Sequence, residues 1–254
     1  MDRNPWIMKM EQFTLFSDKD RWVLDDLAFK RQRRYGARED IIREGEHSAD
    51  VHLVLSGWAC RYKMLADGGR QIIAFLVPGD LCDPEIFILK EMDHSIGTLA
   101  PSTIAAIPGE TMRDLVLKHP RIAVALWWGT LTDEGVLRAR IIDIGRRDAY
   151  QRIAHLLHEL LIRLRIVGVM TDNSFELPIT QVDIADATGL THVYVNRVMQ
   201  RLRDEGLIAW QRKRVTITDP EGLKEAGQFN PNYLHLDRVH DERGGLAGRA
   251  GDLV

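Results

Sequence analysis

The sequence predicts an α+β protein: an antiparallel β-roll of the jelly-roll type, then a long helix, then a C-terminal winged helix-turn-helix. Three observations lead to this prediction. Short β-type runs separated by turn residues fill residues 35–108, apolar residues recur at helical spacing from Pro120 to about Ile144, and residues 180–210 hold two short helical periods with a glycine between them. Evenly spaced short strands are typical of antiparallel rolls, and two short helices joined by a tight turn are typical of a helix-turn-helix.

Length and composition limit the class of protein. With 254 residues and 45% hydrophobic content, the chain can hold two domains with a core in each. Its formal net charge of -3 argues against a generally basic nucleic-acid coat, so any DNA contact has to use a local patch. No apolar run approaches the roughly 18 residues that cross a bilayer, so no membrane partner is expected. Without an apolar signal segment, Cys60 and Cys82 are expected to be reduced thiols in a cytoplasmic protein.

The N-terminal part divides into a helical lead and the roll. Residues 1–34 are predicted to be mainly helical, with Ser17 and Asp20 as a capping box. Residues 35–119 are predicted to form the β-roll, in which Asp67-Gly68-Gly69 gives the strongest hairpin pattern. Its strands are expected at 41–42, 52–55, 58–62, 71–76 and 103–107.

Residues 120–145 are predicted to form a helix through which two copies of the chain dimerise. Pro120 suits its first turn, and Gly129 would let a partner helix approach closely. The alternative is a helix that packs on its own β domain, for which Trp127 and Trp128 are candidates. The expected dimer face consists of Ile122, Leu126, Gly129, Val136, Ile141 and Ile144.

The C-terminal half is predicted to be a winged helix-turn-helix domain over residues 146–228. A hinge is expected at 145–148, followed by an amphipathic helix over 149–167. A strand at 175–177 and a hairpin with its tip at 211–214 would form the wing. Residues 229–254, which are polar and rich in glycine, are predicted to be a flexible tail.

The helix-turn-helix has the most specific pattern in the chain. Thr180 with Asp183, and Thr191 before the second helix, supply hydroxyl caps, and Gly189 allows the bend between the helices. The apolar residues of the second helix follow the i, i+3, i+4, i+7 spacing of a buried face: Val195, Val198, Met199 and Leu202. Its opposite face is therefore predicted to be open to solvent.

That outer face is the predicted DNA-reading surface, and it carries Val193, Asn196, Arg197 and Gln200. Between Gly189 and Thr218 there are six basic residues against two acidic ones, although the whole chain is slightly acidic. Basic residues that are concentrated next to an outward-facing row of polar side chains predict binding to double-stranded DNA. An adaptor whose helix-turn-helix no longer touches DNA is the alternative.

In this order, the helical lead, β-roll, long helix and winged helix-turn-helix resemble the Crp/Fnr family of bacterial transcription regulators. The likeness covers nearly all of residues 10–225. Besides the helix-turn-helix, its most specific part is the string GEHSADVHLVLSGWACRYKMLADGGRQIIAFLVPGD. The resemblance implies a cyclic-nucleotide-binding-like roll, a homodimer on a palindromic DNA site, a contact with RNA polymerase and no catalytic step.

The family's recognition helix reads the major groove from its N-terminal half. Carried over by position, Thr191 caps this helix, and His192, Val193 and Arg197 stand where base-reading residues usually lie. Arg197 suits guanine, but Val193 replaces the family's usual Glu, so the preferred half-site is expected to differ at that base pair. Phosphate contacts are expected from Thr180, Gln181, Arg201, Arg212, Lys213 and Arg214.

The resemblance also aligns a candidate effector pocket, made of Asp83, Glu85, His94 and Ser95, with the cyclic AMP site of the family's founding member. His94 replaces the Arg that would hold the cyclic phosphate, and Asp83 adds a negative charge. A cyclic nucleotide is therefore not expected, and the effector is left unknown. An iron–sulfur cluster is not expected either, because it needs four thiolates and the chain has two cysteines.

Several other readings stay open on the sequence. Cys60 and Cys82 are either a redox pair or packed thiols, and the spacing of His155 and His158 suits a metal without supplying a third ligand. His94 alone could be a haem ligand or pH sensor, or the roll could bind nothing. No metal site or catalytic residue is predicted. An enzyme of the cupin type would need a His-x-His pair that the chain lacks.

Overall fold

The computed structural model describes residues 4–84, 88–89 and 91–236, and begins with two short helices. Helix α1 (Pro5–Met10) is capped by Asn4, whose side chain accepts a hydrogen bond from the Trp6 amide. Helix α2 (Asp18–Lys30) begins with the expected capping box between Ser17 and Asp20. The first strand starts soon afterwards, at Gln32, three residues before the predicted start of the roll.

Seven strands form two antiparallel sheets that together make the predicted β-roll. The sheets have the orders β1-β7-β3 and β2-β6-β4-β5. The α+β fold class is confirmed. The strands are β1 (Gln32–Tyr35), β2 (Asp40–Ile42), β3 (Asp50–Ser56), β4 (Ala59–Met64), β5 (Arg70–Leu76), β6 (Ser95–Thr98) and β7 (Ser102–Pro108).

Strands β1 and β6 correct the predicted strand list, which included neither. Gly97, a residue type that is common in turns, lies inside β6 and pairs with Cys60 of β4. A Cβ on Gly97 would come within 3.1 Å of an Asp40 carboxylate oxygen and 3.2 Å of the Tyr62 ring. Gly97 is therefore needed here for close approach between neighbouring strands and not for a bend.

Three helices follow the roll: α3 (Gly109–Lys118), α4 (Pro120–Arg146) and α5 (Ala149–Ile166). Gly145 and Arg146, expected in the hinge, belong to α4, so only Arg147 and Asp148 separate α4 from α5. Asp148 caps α5 in a capping box with Gln151.

The predicted dimer face of α4 is wrong in part. Ile122 and Val136 are buried within the chain itself, where Ile122 joins the core of the roll. Trp128 stacks on Phe13 with ring centroids 6.1 Å apart, as expected for a residue that packs on its own domain. Ile141 and Ile144 of the predicted face are exposed, and the other exposed apolar residues of α4, among them Val124, Trp127 and Leu131, lie outside that face.

The C-terminal domain is a winged helix-turn-helix. Its three-stranded sheet has the order β8-β10-β9. The six residues of α5 that were expected to face inward are all buried: Ile153, Leu156, Leu157, Leu160, Leu161 and Leu164. The elements after α5 are β8 (Ser174–Glu176), α6 (Gln181–Thr188), α7 (His192–Asp204), β9 (Ile208–Gln211), β10 (Arg214–Ile217) and α8 (Pro220–Ala226).

The chain after α8 corrects the prediction of a flexible tail from residue 229. Pro231–Leu234 forms a 3₁₀ helix, and Phe229 and Leu234 are buried in a small apolar cluster with Val136 of α4. Apolar burial therefore orders these residues although the surrounding sequence is polar. The rest of the predicted tail, residues 237–254, lies outside the described residues.

One apolar core joins the roll to the winged domain. Trp58, Ile72 and Phe75 of the roll belong to the same buried cluster as Leu160 and Leu164 of α5. The two domains therefore pack on each other within one chain. Among the described residues, no helix is both long enough and apolar enough to cross a membrane.

Candidate nucleic-acid interface

The turn between α6 and α7 is built as the sequence predicted. Thr180 caps α6 in a capping box with Asp183, and Gly189 ends that helix at a φ of 66°, in the left-handed region that favours glycine. Thr191 caps α7 by accepting a hydrogen bond from the Tyr194 amide at 3.3 Å. These local interactions fix where α7 starts, and so which side chains its first turn presents.

Helix α7 has one buried side and one exposed side. The four residues expected to face inward are buried: Val195, Val198, Met199 and Leu202. His192, Val193 and Arg197 lie on the exposed side, where the Val193 side chain is 49% exposed. Arg197 makes no hydrogen bond or ion pair with any described residue, so its guanidinium is available to a ligand.

Two other polar residues of this face are held by neighbours. Asn196 Nδ2 donates to Gln181 Oε1 at 3.1 Å, which ties the middle of α7 to the start of α6. Gln200 Nε2 donates to Asp204 at 2.7 Å, and Gln200 Oε1 accepts from Arg203. Asn196 and Gln200 are themselves exposed, so a DNA duplex could exchange partners with them without opening the core.

Arg201 is less free than Arg197. Its Nε donates to Glu205 at 2.8 Å, and its guanidinium lies 4.1 Å from the centroid of the Tyr150 ring. Tyr150 also donates its hydroxyl to Glu205, and the two donors hold the pKa of Glu205 below its ordinary value. A phosphate contact by Arg201 would therefore compete with a carboxylate on its own helix.

The wing places three cations side by side. Arg212, Lys213 and Arg214 are all exposed at its tip. Arg212 has a φ of 56°, and its carbonyl accepts a hydrogen bond from Trp210 Nε1 at 2.9 Å. The Lys213 carbonyl accepts from the Leu177 amide at 2.7 Å. These two hydrogen bonds hold the backbone of the basic tip in place.

The start of α6 is the third part of the surface. Thr180 is exposed and Gln181 is half-buried. The Thr180 hydroxyl donates to Asp183 at 2.7 Å, so the capping box already uses it. Thr180 therefore holds the helix terminus, whose free amides favour an anion.

The candidate effector residues lie in different surroundings. Asp83 and His94 line one cleft of about 390 Å³ between the roll and α4. Ser95 is buried, and its hydroxyl accepts a hydrogen bond from the Glu44 amide at 3.0 Å. Glu85 lies outside the described residues.

The cleft is rich in carboxylates. Two basic side chains line it, and Arg61 is paired with Asp133 at 3.0 Å. Asp83 accepts a hydrogen bond from the His52 amide at 3.1 Å. Because the negative charges of these carboxylates repel an anion, the lining of the cleft disfavours binding of a cyclic phosphate. The carboxylate residues among the described lining are Asp83, Glu91, Asp93, Asp133 and Glu134.

The two cysteines are buried thiols. Burial raises the pKa of Cys60 to about 12 and raises that of Cys82 well above its ordinary value. Both stay protonated at neutral pH, whereas redox sensing uses the thiolate. This chemistry favours packed thiols over a redox pair.

His155 and His158 are also buried. The Phe229 ring lies 4.9 Å from the His155 ring and 4.6 Å from the His158 ring, centroid to centroid. Burial lowers the pKa of His155 to about 3 and that of His158 to about 4. In the part of the chain that the structure describes, no group of three or more His, Cys, Asp or Glu residues is placed to hold a metal ion.

Comparisons with known proteins agree with this division of the chain. Residues 32–119 match the family model of the cyclic nucleotide-binding domain, and residues 151–226 match that of the Crp-like helix-turn-helix domain. The transcriptional activator protein FnrL of Cereibacter sphaeroides is 28% identical over 210 residues, which are 81% of this chain and 84% of that protein. The nitrogen fixation regulation protein FixK of Rhizobium meliloti is 29% identical over 193 residues, 75% of this chain and 84% of that protein.

A solved structure has the same architecture. The structure of FixK2 from Bradyrhizobium japonicum superposes with a TM-score of 0.70, and the match covers 77% of this chain and 96% of that one at 24% sequence identity. At this identity the likeness establishes the fold. The roll, the long helix and the winged domain therefore occur together in a known arrangement.

Proposed function

This chain belongs to the Crp/Fnr family and is a DNA-binding transcription regulator of that type, and on that premise we propose that it reads a palindromic site as a homodimer. One observation supports the reading role above all. The outer face of α7 is exposed, and it carries Arg197 with no partner among the described residues. A buried Arg197 could not enter the major groove, and a paired one would first have to give up its partner.

We assign base readout to the first turns of α7. The Arg197 guanidinium can donate two hydrogen bonds to O6 and N7 of a guanine, which discriminates against other bases by about 1–3 kcal/mol. Val193 can only make an apolar contact, for which the methyl group of thymine is the matching base feature. His192 completes the base-reading set at the N-terminus of the helix.

Phosphate contacts follow from the flanking elements. In chain order, the start of α6, with Thr180 and Gln181, precedes α7, and the wing tip, Arg212 to Arg214, follows it. Such contacts fix the register of a protein on DNA without reading sequence. Arg201, Asn196 and Gln200 join them only if DNA displaces their present partners.

The dimer is supported by the exposed stripe of α4. Val124, Trp127, Leu131 and Ile141 are all exposed, with Trp127 at 69%. With Glu134 and Arg138, which form an ion pair at 3.0 Å, they follow alternating steps of three and four residues, the spacing of a coiled-coil seam. A second copy of the chain is the partner that this spacing fits. To read two half-sites one turn of DNA apart, a dimer with its two-fold axis along α4 would have to hold its two α7 helices about 34 Å from each other.

The cleft of Asp83 and His94 is the proposed input site, for an effector other than a cyclic nucleotide. The carboxylates of its lining support that restriction. We also propose that the DNA-bound dimer contacts RNA polymerase in the cytoplasm, as expected for a transcription regulator. No catalytic step is involved.

The proposal is tested by selecting bound duplexes from random DNA with the full chain, and then measuring affinity against salt. We expect a palindrome, and a logarithm of the binding constant that falls linearly with the logarithm of salt concentration. Arg197→Ala should bind with relaxed sequence choice. Arg31→Ala, which removes an arginine paired with Asp50 in the roll, is the matched control. Wild-type protein that selects no sequence at all would contradict the proposal.

A further inference from the structure

Helix α6 is tied to the β-roll by a buried carboxylate. Asp183, whose side chain is fully buried, accepts hydrogen bonds from both terminal nitrogens of Arg38, at 2.5 and 2.6 Å. Arg70, at the start of β5, donates to the same carboxylate at 2.6 Å. Its Nε donates to Asp186 of α6 at 2.8 Å. These two arginines and two aspartates are called the α6 anchor below.

The central carboxylate of the α6 anchor is charged at neutral pH. Burial by itself would raise the pKa of Asp183, but hydrogen bonds from Arg38, Thr180 and Arg70 outweigh it and hold this pKa well below its ordinary value. Asp183 is therefore ionised at neutral pH. Removing its partners would leave a buried charge unpaired, which is far more costly than losing an exposed ion pair.

The backbone at Arg38 is unusual. Arg38 has a φ of 64°, in the left-handed region that few residues other than glycine adopt. Its amide donates to the Thr98 carbonyl at 3.0 Å, which holds the turn between β1 and β2 in place. A conformation that the local sequence does not favour is thus kept where it allows the guanidinium to reach α6.

A second contact ties α5 to the roll. Arg163 of α5 donates to Asp80 at 2.6 Å and to the Phe75 carbonyl at 2.9 Å. Together with the apolar core that the two domains share, polar contacts on two different helices, α5 and α6, define the orientation of the winged domain on the roll.

The anchor leaves the reading surface open. His192, Val193, Arg197 and the wing tip are exposed while Arg38 and Arg70 hold α6. The ion pairs therefore do not block DNA. What they can set is the direction in which each α7 points from the dimer.

We propose that Arg38 and Arg70 are positioning residues for DNA binding, and that by holding Asp183 and Asp186 they fix the half-site spacing that the dimer accepts. This inference rests on the proposed dimer and its palindrome. Each added base pair moves a half-site by about 3.4 Å and turns it by roughly one tenth of a helical turn. Only a dimer with fixed α7 helices can reject such a change. A dimer with loose winged domains adapts to it.

The test compares affinities of the full chain for the selected palindrome and for the same half-sites moved apart or together by one and two base pairs. Wild-type protein is expected to prefer one spacing. In the double variant Arg38→Gln with Arg70→Gln, the ratio of affinities for the preferred and the shifted spacings is expected to fall about tenfold. Arg31→Gln removes an equally bidentate pair, with Asp50, inside the roll and should keep the wild-type preference.

Two further variants guard against a loss of folding. Asp186→Asn removes one contact of Arg70 at a partly exposed site, and should lower the spacing preference by a smaller factor. The exchange Arg70→Asp with Asp186→Arg should recover part of the preference that Arg70→Asp alone loses. Recovery by exchange would show that the ion pair itself, and not the identity of either side chain, sets the spacing preference.

The outcomes separate the two proposals. If wild-type protein selects one spacing and the folded variants keep the same ratio of affinities, the positioning role is overturned and the proposed function stands. If wild-type protein binds no palindrome, the proposed function is overturned, and the positioning role with it. A preference that falls in the double variant and not in Arg31→Gln supports the proposal.

Discussion

Gly135 of α4 lies directly under the backbone of Tyr233, so close that a Cβ on Gly135 would come within 2.7 Å of the Tyr233 carbonyl oxygen. Two backbones can pack at this distance only when one residue has no side chain. The contact holds the segment after α8 against the long helix. On the other side of that segment, the Tyr233 hydroxyl donates to Glu159 of α5 at 2.9 Å.

Gly135→Ala is therefore expected to destabilise the chain by about 1–3 kcal/mol, because the added methyl group forces the Tyr233 backbone away. Gly129→Ala is the matched control on the same helix, since nothing lies within 4 Å of its Cβ position. It should stabilise by roughly 0.5–1 kcal/mol, through helix propensity alone. Denaturant unfolding at one fixed protein concentration measures both. Equal effects of the two substitutions would argue against the contact.

The ordered segment after α8 could not be predicted from its own residues. Phe229, Tyr233 and Leu234 stand apart among polar residues and follow no helical or strand period. Their burial depends on partners in α4 and α5, roughly a hundred residues earlier for Val136 and Gly135. Local composition does not show that such a distant partner exists, and the polar composition of the segment by itself predicts a flexible tail.

The helix-turn-helix was predictable for the opposite reason. Its caps, Thr180 and Thr191, its bend at Gly189 and its buried row all act within a few residues, so the sequence pattern and the structure coincide. The α6 anchor was not predicted. Arg38 lies 145 residues from Asp183, and an exposed arginine in a turn gives no sign of a distant carboxylate.

The face of α4 shows where periodicity misleads. A helix that packs on its own domain and on a second copy has two apolar stripes, and the sequence alone cannot say which stripe faces which partner. Ile122 belongs to the stripe that the roll buries, whereas Leu131 belongs to the exposed one. Tertiary structure was needed to separate them.

Leu131→Glu is expected to weaken the dimer by about 2 kcal/mol or more, roughly thirtyfold in its dissociation constant, because it places a charge in the proposed seam. Leu117→Glu makes the same change at an exposed leucine of α3, where the side chain is 73% exposed, and should leave the dimer intact. Sedimentation velocity across a dilution series gives both constants. Dissociation by both substitutions, or by neither, would contradict the seam.

Val193→Glu is expected to change the preferred base pair at one position of each half-site, since a carboxylate can accept a hydrogen bond from the cytosine amino group. The expected discrimination is about 1–3 kcal/mol, in favour of the new base pair. Val182→Glu is the control, because Val182 is similarly exposed at the start of α6. There the added charge should weaken all sequences equally. Repeating the selection with each variant distinguishes base readout from simple repulsion.

The buried histidines make stability depend on pH. His155 Nδ1 lies 3.4 Å from an Asp143 oxygen, but this is not an ion pair at neutral pH, because burial first and then Arg147 and Arg140 keep the histidine uncharged. Its pKa of about 3, and that of about 4 for His158, lie below the ordinary value of 6.5. Below pH 6.5 the two histidines therefore bind protons in the unfolded chain, whereas in the folded chain they stay neutral until the pH approaches 4. This contribution to stability is complete above pH 6.5 and is lost as the pH falls toward the folded values.

Between pH 7 and pH 5 each buried histidine is expected to cost on the order of 2 kcal/mol of unfolding free energy, since only the unfolded state is protonated there. His158→Leu removes one titrating group from the contact with Phe229 and should reduce the slope of stability against pH by about half of the histidine contribution. His47→Gln, at an exposed position, controls for the loss of a histidine as such. Urea unfolding at several pH values gives the three slopes. Identical slopes for wild-type and His158→Leu protein would mean that the pKa of His158 is the same in the folded and the unfolded chain, against the burial described above.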